Sequence, residues 1–289
     1  MKKKLCLLLA LIMIVGAFAM GCGSGDDNGG GDAVSEDTSL TDIKAKGTLV
    51  LGCDDEFPPM GFVDEDGKLT GFDIELARLV CDKIGVELEA TPIDWSTKEA
   101  QLEGGSIDVI WNGYTITQKR DKKVEYTKPY LNNAVVIAVK ADSDIQTIED
   151  MKGKIIASQT DSSGLAAISK NEFLQENVAE IREFNNFTEA MLDLQSVRVD
   201  AVAIDKVVAN YMIKQSPGVY RLLDETLGDE LYGIGCRKGA VALREAIDNA
   251  LDELYEDGSI EALSNEWFGT NVVIRDVEKL ENDEITVVE

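Results

Sequence analysis

Residues 48–93 have the sequence TLVLGCDDEFPPMGFVDEDGKLTGFDIELARLVCDKIGVELEATPI. The apolar run TLVLGC at its start favours a strand, and ELEATPI at its end favours a second one. Between them, FDIELARLVCDKI (72–84) predicts a helix because its apolar residues recur at helical spacing. The predicted buried face consists of Ile74, Ala77, Cys81 and Ile84. A strand, a helix and a strand in this order predict a parallel sheet covered by helices.

The alternation continues and then restarts after Tyr130. A short helix carrying Leu102 and a strand at 107–111 complete the first block. The second block has predicted strands at 133–140, 154–159, 180–184 and 199–205, and helices from Ser163, near 188–195 and over 206–214. A last section begins with LYGIGCRKG (231–239). It continues with a helix over 240–255 and a helix ending near Gly269. About 230 residues therefore form two α/β units, each large enough for its own core.

The N-terminus predicts export. Lysines at 2–4 precede an apolar run of 16 residues, Leu5–Met20, which is shorter than the about 20 residues of a spanning helix. The run ends in AMGC, which resembles a bacterial lipobox, and this resemblance implies that residues 1–21 are a signal peptide and that Cys22 carries lipid. An uncleaved anchor and an ordinary secretory cleavage are the alternatives.

A glycine-rich acidic segment follows the lipobox. Residues 23–39, GSGDDNGGGDAVSEDTS, contain five glycines and five acids, and such a segment cannot bury enough apolar surface to order itself. We therefore expect residues 22–39 to be a flexible tether. Lipid and tether together predict an exported protein anchored to the outer face of the cytoplasmic membrane.

Composition excludes several classes of protein. The formal net charge is −26, and removal of the leader with its three lysines leaves −29, which argues against nucleic acid and against electrostatic adhesion to anionic lipid. The chain has no histidine, so histidine-dependent triads and histidine-ligated metal sites are excluded. We expect no metal and no cofactor.

The mature cysteines other than Cys22 are Cys53, Cys81 and Cys236. They are widely spaced and form no CxxC pair, so a zinc or thioredoxin-type site is not expected. Each cysteine stands in an apolar stretch, which favours buried free thiols. A single disulfide between two of these cysteines is the alternative.

Six motifs occur along the chain in the order that a known family has. They are GCDDEFPPMGFVDEDGKLTGFDIELA (52–77), DVIWNGYTITQKRDKKVEYTKPY (108–130), DMKGKIIASQTDSSG (150–164), VDAVAID (199–205), LYGIGCRKG (231–239) and DGSIEALSNEWFG (257–269). With these motifs the chain resembles the extracellular solute-binding proteins of amino-acid ABC transporters. The resemblance covers about residues 47–269.

The resemblance implies a two-lobed α/β fold of the periplasmic-binding-protein type. Each lobe is a mainly parallel sheet flanked by helices, and two crossing strands act as the hinge. Lobe one is expected to comprise 40–131 plus 233–289, and lobe two 132–232. The ligand would lie in the cleft between them.

The resemblance also implies binding groups for each end of an amino acid. Arg120 matches the arginine that clamps the α-carboxylate, because its planar fork suits two parallel hydrogen bonds. Thr115 is expected to donate a further hydrogen bond. Ser162 and Ser163 match the hydroxyl pair that opens a lobe-two helix, whose N-terminus favours an anion. Asp205 matches the partner of the α-ammonium.

The ligand's side chain is expected to lie in a pocket of polar and aromatic residues. The predicted pocket consists of Asp54, Phe57, Trp95, Asn112, Gly113 and Gln159. Phe57 and Trp95 match positions that sandwich the ligand stem, and the alternative for Trp95 is a place in the core. Asp54 could bind an amide or a cationic head, or could only cap the turn before Pro58. Asp161 stands where the family often has glycine, and we expect its side chain to point to solvent.

Sequence and resemblance together predict a monomeric amino-acid-binding lipoprotein rather than an enzyme. It would deliver a polar or cationic amino acid to a membrane permease driven by a separate ATPase, and no GxxxxGK[ST] phosphate-binding motif is present. Two alternatives stay open on the same fold. One is an exported prephenate- or arogenate-type dehydratase, and the other is a sensor that reports ligand binding to a membrane receptor.

Overall fold

A computed structural model of the chain describes residues 37–275. The predicted signal peptide, the lipidated Cys22, most of the tether and residues 276–289 lie outside the described residues. No helix within 37–275 combines the length and the apolar character needed to cross a bilayer.

The first sheet has five strands. They are β1 (Thr48–Cys53), β5 (Glu87–Pro92), β6 (Val109–Ile110), β7 (Val124–Tyr126) and β13 (Gly235–Arg237), in the spatial order β5-β1-β6-β13-β7. A small antiparallel sheet follows β1 in the chain and is formed by β2 (Glu56–Phe57), β3 (Gly61–Val63) and β4 (Leu69–Thr70).

Six helices belong to the same part of the chain. They are α1 (Ser39–Lys46), α2 (Phe72–Ile84), α3 (Lys98–Glu103), α4 (Gln118–Asp121), α9 (Val241–Glu256) and α10 (Ser259–Phe268). The predicted face of α2 is confirmed, except that Ile84 is only half-buried. On α9 the buried residues include Leu243, Ile247, Leu251 and Leu254, which recur at helical spacing. α2, α9 and α10 pack on one another and share one core cluster with β1.

The second sheet also has five strands. They are β8 (Leu131–Lys140), β9 (Ile155–Gln159), β10 (Glu180–Phe184), β11 (Ala201–Asp205) and β12 (Tyr220–Tyr232), in the spatial order β10-β9-β11-β8-β12. Its helices are α5 (Ser163–Lys170), α6 (Glu172–Asn177), α7 (Phe187–Gln195) and α8 (Lys206–Gln215). Short 3₁₀ turns occur at Trp95–Thr97 and Glu149–Met151.

Each sheet is mixed: four of its strands are parallel to one another and one strand is antiparallel to them. In the first sheet that strand is β13, and in the second it is β8. β8 and β12 pair over a long antiparallel ladder that ends at Leu131 and Tyr232, after which the chain returns to the first sheet at Gly235. The two sheets with their helices are the two lobes of the predicted fold. The residue boundaries assigned to the lobes stay a prediction.

Two features differ from, or go beyond, what the sequence predicted. β12 was not recognised as a strand, because YRLLDETLGDELY is largely polar, lies at the sheet edge and contains two register shifts. The small sheet β2-β3-β4 was also missed, since two of its strands have only two residues each. The predicted state of Cys53, Cys81 and Cys236 is confirmed, since all three are buried free thiols.

Candidate ligand-binding site

The polar residues of interest follow the carboxyl ends of parallel strands in both lobes. In the first lobe Asp54 follows β1, Trp95 follows β5 and Asn112 follows β6. In the second lobe the segment 159–163 follows β9, and Asp205 ends β11. Crevices outside the carboxyl ends of strands are where open α/β sheets bind ligands. The loops of the two lobes meet at this crevice.

A small, partly open cavity of about 250 Å³ lies between these loops. Its lining comprises Phe57, Trp95, Asn112, Gly113, Thr115, Arg120, Gln159, Ser162, Ser163, Phe187 and Asp205. Ten of the eleven predicted ligand-contacting residues are therefore brought together, and both lobes contribute. Asp54 lies behind the cavity wall, and Phe187 joins the wall without having been predicted.

Arg120 is buried on α4 and aims its guanidinium across the cleft. Thr117 caps this helix by accepting the Arg120 N–H at 3.1 Å. Nη1 donates to the Thr115 carbonyl at 3.2 Å and Nη2 to the Asp161 carbonyl at 3.0 Å. The guanidinium also lies 4.7 Å from the centre of the Tyr114 ring. One N–H on each terminal nitrogen is left without a partner among residues 37–275, and a carboxylate accepts such a pair in parallel.

Ser162 and Ser163 open α5 opposite Arg120. The Ser162 hydroxyl donates to the Gln159 carbonyl at 2.7 Å and accepts the Leu165 N–H at 3.1 Å, so it acts as the helix N-cap. Its single proton is therefore already used. The backbone N–H groups of Ser163 and Gly164 have no partner within the described residues, which is the state in which a helix N-terminus attracts an anion.

Asp205 is almost completely buried at the end of β11. Its Oδ1 accepts hydrogen bonds from Asn133 Nδ2 at 2.8 Å and from the Tyr232 hydroxyl. Oδ2 has no partner among residues 37–275. Burial, and then the neighbouring Glu230, raise the pKa of the Asp205 carboxyl. A cationic group beside Oδ2 would offset that burial cost.

Glu230 is a second buried carboxyl beside Asp205 that sequence reasoning missed. Its Oε2 accepts from Asn133 Nδ2 at 2.9 Å and from the Thr115 hydroxyl at 3.3 Å. The sequence could have indicated Glu230 only if β12 had been recognised as a strand, because alternate residues of a strand share a face. Recognising a strand up to Tyr232 would have placed residue 230 on the face of Tyr232, beside Asp205.

Asp54 and Gln159 join the two lobes behind the cavity. Asp54 Oδ2 accepts from Gln159 Nε2 at 2.6 Å, and Oδ1 accepts the Glu56 N–H at 2.8 Å. Asp54 thus caps its own turn and also reaches the opposite lobe. Burial raises the pKa of the Asp54 carboxyl to about 6.

Aromatic side chains and a tight loop shape the remaining wall. Phe57 of lobe one and Phe187 of lobe two face each other with ring centres 5.9 Å apart, and Trp95 packs edge-on to Tyr114. Gly113 has φ +56°, and a Cβ there would lie 2.8 Å from the Phe57 ring. The Gly113 N–H is held by Asp73 Oδ2 at 2.7 Å, and Asn112 Oδ1 accepts the Asp54 N–H at 3.1 Å.

The Asp161 side chain is 42% exposed, as expected in part, but it is held in an ion pair that the sequence did not predict. Its carboxylate lies 2.6 Å from the Nζ of Lys98 on the opposite lobe, and Lys98 is fully buried. Lys98 also donates to the carbonyls of Trp95 and Asp161. Asp161 adopts φ +55°, a conformation that is uncommon for residues other than glycine. The buried ammonium attracts the carboxylate across the cleft, because it would otherwise lack a charged partner in lobe two.

Two α/β lobes whose facing loops enclose a cavity with an arginine and a carboxylate define a solute-binding protein of the two-lobed class. The match to a known family agrees with this assignment. Residues 49–270 match the bacterial extracellular solute-binding proteins, family 3, and the chain belongs to that family.

The relatives are amino-acid-binding components of ABC transporters. The chain is 32% identical over 237 residues to the L-cystine-binding protein TcyJ of Escherichia coli (strain K12), covering 81% of this chain and 87% of TcyJ. It is 30% identical over 268 residues to the L-cystine-binding protein TcyA of Bacillus subtilis (strain 168), covering 92% of this chain and 98% of TcyA. Among solved structures, the substrate-binding protein of an ABC uptake transporter from Streptococcus pneumoniae, with bound histidine, superposes on this chain with a TM-score of 0.80. The two sequences are 38% identical, and the match covers 83% of this chain and 100% of the other.

Proposed function

We propose that this protein binds a free amino acid between its lobes and delivers it to a membrane ABC permease with a separate ATPase. The lipid on Cys22 would hold it at the outer face of the cytoplasmic membrane. The observation that carries the proposal is that Arg120 and Asp205, one from each lobe, line the same cavity. A zwitterion presents the two opposite charges that these groups need.

The carboxylate end is proposed to bind between the lobes. The two partnerless N–H groups of Arg120 would take the two oxygens, and the first-turn N–H groups of α5 would add donors from lobe two. Arg120 is already held by the Thr115 and Asp161 carbonyls. A preorganised guanidinium loses little side-chain entropy when the ligand binds, so most of the interaction energy contributes to affinity.

The ammonium is proposed to bind Asp205 Oδ2. The opposite oxygen is occupied by Asn133 and Tyr232, which orient the carboxyl. Because arginine and aspartate come from different lobes, the ligand makes both ion pairs only when the cleft is closed. The ligand therefore favours the closed state by its differential affinity.

We propose that the site selects amino acids with a polar or cationic side chain. Gln159 lines the cavity, and its amide donates to the Asp54 carboxylate behind the wall. At neutral pH the Asp54 carboxyl, with its pKa of about 6, is mainly ionised. No second cation is found among the residues that line the cavity, which disfavours an acidic ligand.

Calorimetric titration of the leaderless protein with individual amino acids tests the function. At least one polar or cationic amino acid is expected to bind. The same ligand without its α-ammonium, or with its carboxylate replaced, should bind at least about a hundredfold more weakly, since a buried charge left unpaired costs about 3–5 kcal/mol. The proposal fails if no amino acid binds, or if both analogues bind as tightly as the parent.

The Lys98–Asp161 ion pair is expected to stabilise the closed cleft. Asp161→Asn keeps the side-chain shape and tolerates positive φ, but it removes the nearer charged partner of the buried Lys98 and leaves only Glu99 of the same lobe, at 3.7 Å. We expect about fivefold to tenfold weaker ligand binding, because the pair is partly exposed on the Asp161 side. The affinity loss should be accompanied by a larger radius of gyration of the ligand-free protein in small-angle scattering.

Asp257→Asn provides the matched control for this prediction. Asp257 also pairs with a lysine, Lys83, at 3.3 Å, but both residues lie in the first lobe. This variant should leave affinity and scattering unchanged. Unaltered affinity and scattering in Asp161→Asn would contradict a role for the pair in closure.

A further inference from the structure

The carboxyl of Glu230 lies directly beneath the wall of the ligand cavity. It is buried on β12 and does not line the cavity itself. Its Oε2 contacts the Thr115 hydroxyl at 3.3 Å, and Thr115 does line the cavity. The side chain of Ser163, another lining residue, approaches the same carboxyl. Glu230 therefore lies where it can control the hydroxyls that face the ligand.

Asn133 links Glu230 to Asp205 in a defined orientation. Its Oδ1 accepts the Val207 N–H at 3.3 Å, which directs Nδ2 away from that backbone. Nδ2 then donates one proton to Asp205 Oδ1 at 2.8 Å and one to Glu230 Oε2 at 2.9 Å. Both amide protons are used in this way, and the two buried carboxyls are held close together.

The charges around this pair do not balance when both carboxyls are ionised. The charged or titratable groups that face Glu230 are Asp205 of β11, Tyr232 of β12 and Arg120 of α4. Arg120 is the one cation among them. An amino acid that binds as proposed engages Arg120 through its carboxylate and Asp205 through its ammonium. Glu230 would then remain a buried anion without a cation of its own, which is strongly unfavourable.

The protonation state of Glu230 determines which way the Thr115 hydroxyl points. An ionised carboxylate only accepts hydrogen bonds, so Thr115 must direct its single proton toward it. The hydroxyl then offers lone pairs to the cavity, where a ligand carboxylate would be repelled. A protonated Glu230 donates to Thr115 instead, and the hydroxyl proton becomes available to the ligand carboxylate.

We propose that Glu230 is a positioning residue that takes up one proton, from Asp205 or from solvent, as the amino acid binds, and thereby turns the Thr115 hydroxyl toward the ligand carboxylate. This inference rests on the proposed amino-acid-binding function. The step converts a carboxylate and a proton into a carboxylic acid, and it breaks the O–H bond of Asp205 where Asp205 supplies the proton. Burial already raises the pKa of Glu230 in the ligand-free protein, which favours the protonated carboxyl.

The absence of histidine from the chain makes this proton easy to detect. Between about pH 5.5 and about pH 8 histidine is normally the side chain that titrates, and the terminal amino group is the other ordinary one, so proton uptake at the ligand cavity in this range comes from perturbed carboxyls. The other candidates near the cavity are Asp54 and Asp73, whose pKa values burial raises to about 6 and about 7, and Asp205, whose pKa burial and Glu230 also raise. Single asparagine variants of each distinguish them from Glu230.

The test measures affinity and proton uptake for the best-binding free amino acid. At pH values where Asp205 is ionised before the ligand binds, the Kd of the wild type should rise with pH by up to about tenfold per unit, because solvent must supply the proton. At lower pH Asp205 loses a proton when it pairs with the ligand ammonium, so calorimetry in buffers of different ionisation enthalpy compares the wild type with Glu230→Gln at each pH. Glu230→Gln has no titrating group at this position, so it should bind about one proton fewer per ligand than the wild type and lose the pH dependence at alkaline pH.

Two further variants keep the test decisive. Thr115→Val removes the hydroxyl and should weaken binding at about pH 6 while flattening the pH profile. Glu230→Ala should bind more weakly at every pH and should also lose the proton that the wild type takes up at this position. The proposal is overturned if the wild type and Glu230→Gln take up the same number of protons and share one pH profile, or if Asp54→Asn or Asp73→Asn removes the difference instead. Failure of every amino acid to bind at any pH would instead refute the proposed function.

Discussion

Replacing Arg120 with methionine is expected to weaken amino-acid binding by a factor of about several hundred to several thousand. The ligand carboxylate would enter a cavity lined by buried residues and would find no cation among them. An unpaired buried charge costs about 3–5 kcal/mol, which corresponds to this change in Kd. Methionine approximates the length of the arginine stem, so the effect reports the guanidinium rather than an empty space.

Arg120→Lys separates charge from geometry. Lysine keeps the positive charge but cannot donate two parallel hydrogen bonds, and its ammonium is harder to desolvate. We expect an intermediate loss of about tenfold to a hundredfold, since a hydrogen bond to a charged group contributes about 1.5–3 kcal/mol. Isothermal titration calorimetry with one amino acid, on all three proteins, measures the series.

Loss of fold must be separated from loss of binding, because Arg120 also donates to two backbone carbonyls. Arg237 provides the control. Its Nε donates to the Leu102 carbonyl at 3.1 Å, and it does not line the ligand cavity. Arg237→Met should keep wild-type affinity, and both methionine variants should melt cooperatively without ligand. Binding by a folded Arg120→Met within about tenfold of wild type would contradict the carboxylate role of Arg120.

The parts of this fold that the sequence predicted are those with strong local periodicity. α2 and α9 have apolar stripes at helical spacing, and β8, β9 and β11 are short apolar runs. Such elements are buried wherever they lie in the fold, so their pattern is visible locally. The segment 220–232 has no such pattern, because it pairs along one edge and exposes much of its length.

The residues of the candidate site also fall into those that the sequence predicted and those that it did not. Residues in the conspicuous motifs, such as Arg120 and Asp205, were found because single residues carry the charge of each ligand group. Glu230 and Lys98 were missed because their surroundings come from other parts of the chain. Lys98 is 63 residues from Asp161, and Glu230 is 115 residues from Thr115. A lone charged residue in a polar segment carries no local sign that it is buried.

Asp205→Asn is expected to weaken amino-acid binding by about a hundredfold or more, and to do so only for ligands that carry the ammonium. The substitution removes the charge while nearly preserving shape, so a ligand ammonium buried beside it loses its counterion, at a cost of about 3–5 kcal/mol. A carboxylic-acid analogue without the ammonium should bind the variant at least as well as it binds the wild type. This crossed pattern distinguishes an ammonium partner from a residue that merely supports the fold.

The same substitution is expected to stabilise the ligand-free protein. Burial and Glu230 raise the pKa of Asp205, so the folded state favours the protonated carboxyl. The stability from this group is complete below its unfolded pKa and is lost as the pH rises through the folded pKa. At about pH 8 an uncharged asparagine avoids that loss and the repulsion by Glu230, so the variant should melt at a higher temperature than the wild type.

Asp200→Asn is the matched control for both effects. Asp200 precedes β11, and its Oδ2 accepts the Ile155 N–H at 2.8 Å outside the cavity, a bond that an asparagine carbonyl can also accept. It should change neither affinity nor the melting temperature in the manner of Asp205→Asn. If Asp205→Asn bound zwitterion and analogue with equal losses, or melted below the wild type at about pH 8, Asp205 would be a structural residue rather than the ammonium partner. Higher stability combined with lost affinity is the signature of a charge retained for its ligand, because a buried carboxylate without a counterion is tolerated only where binding supplies one.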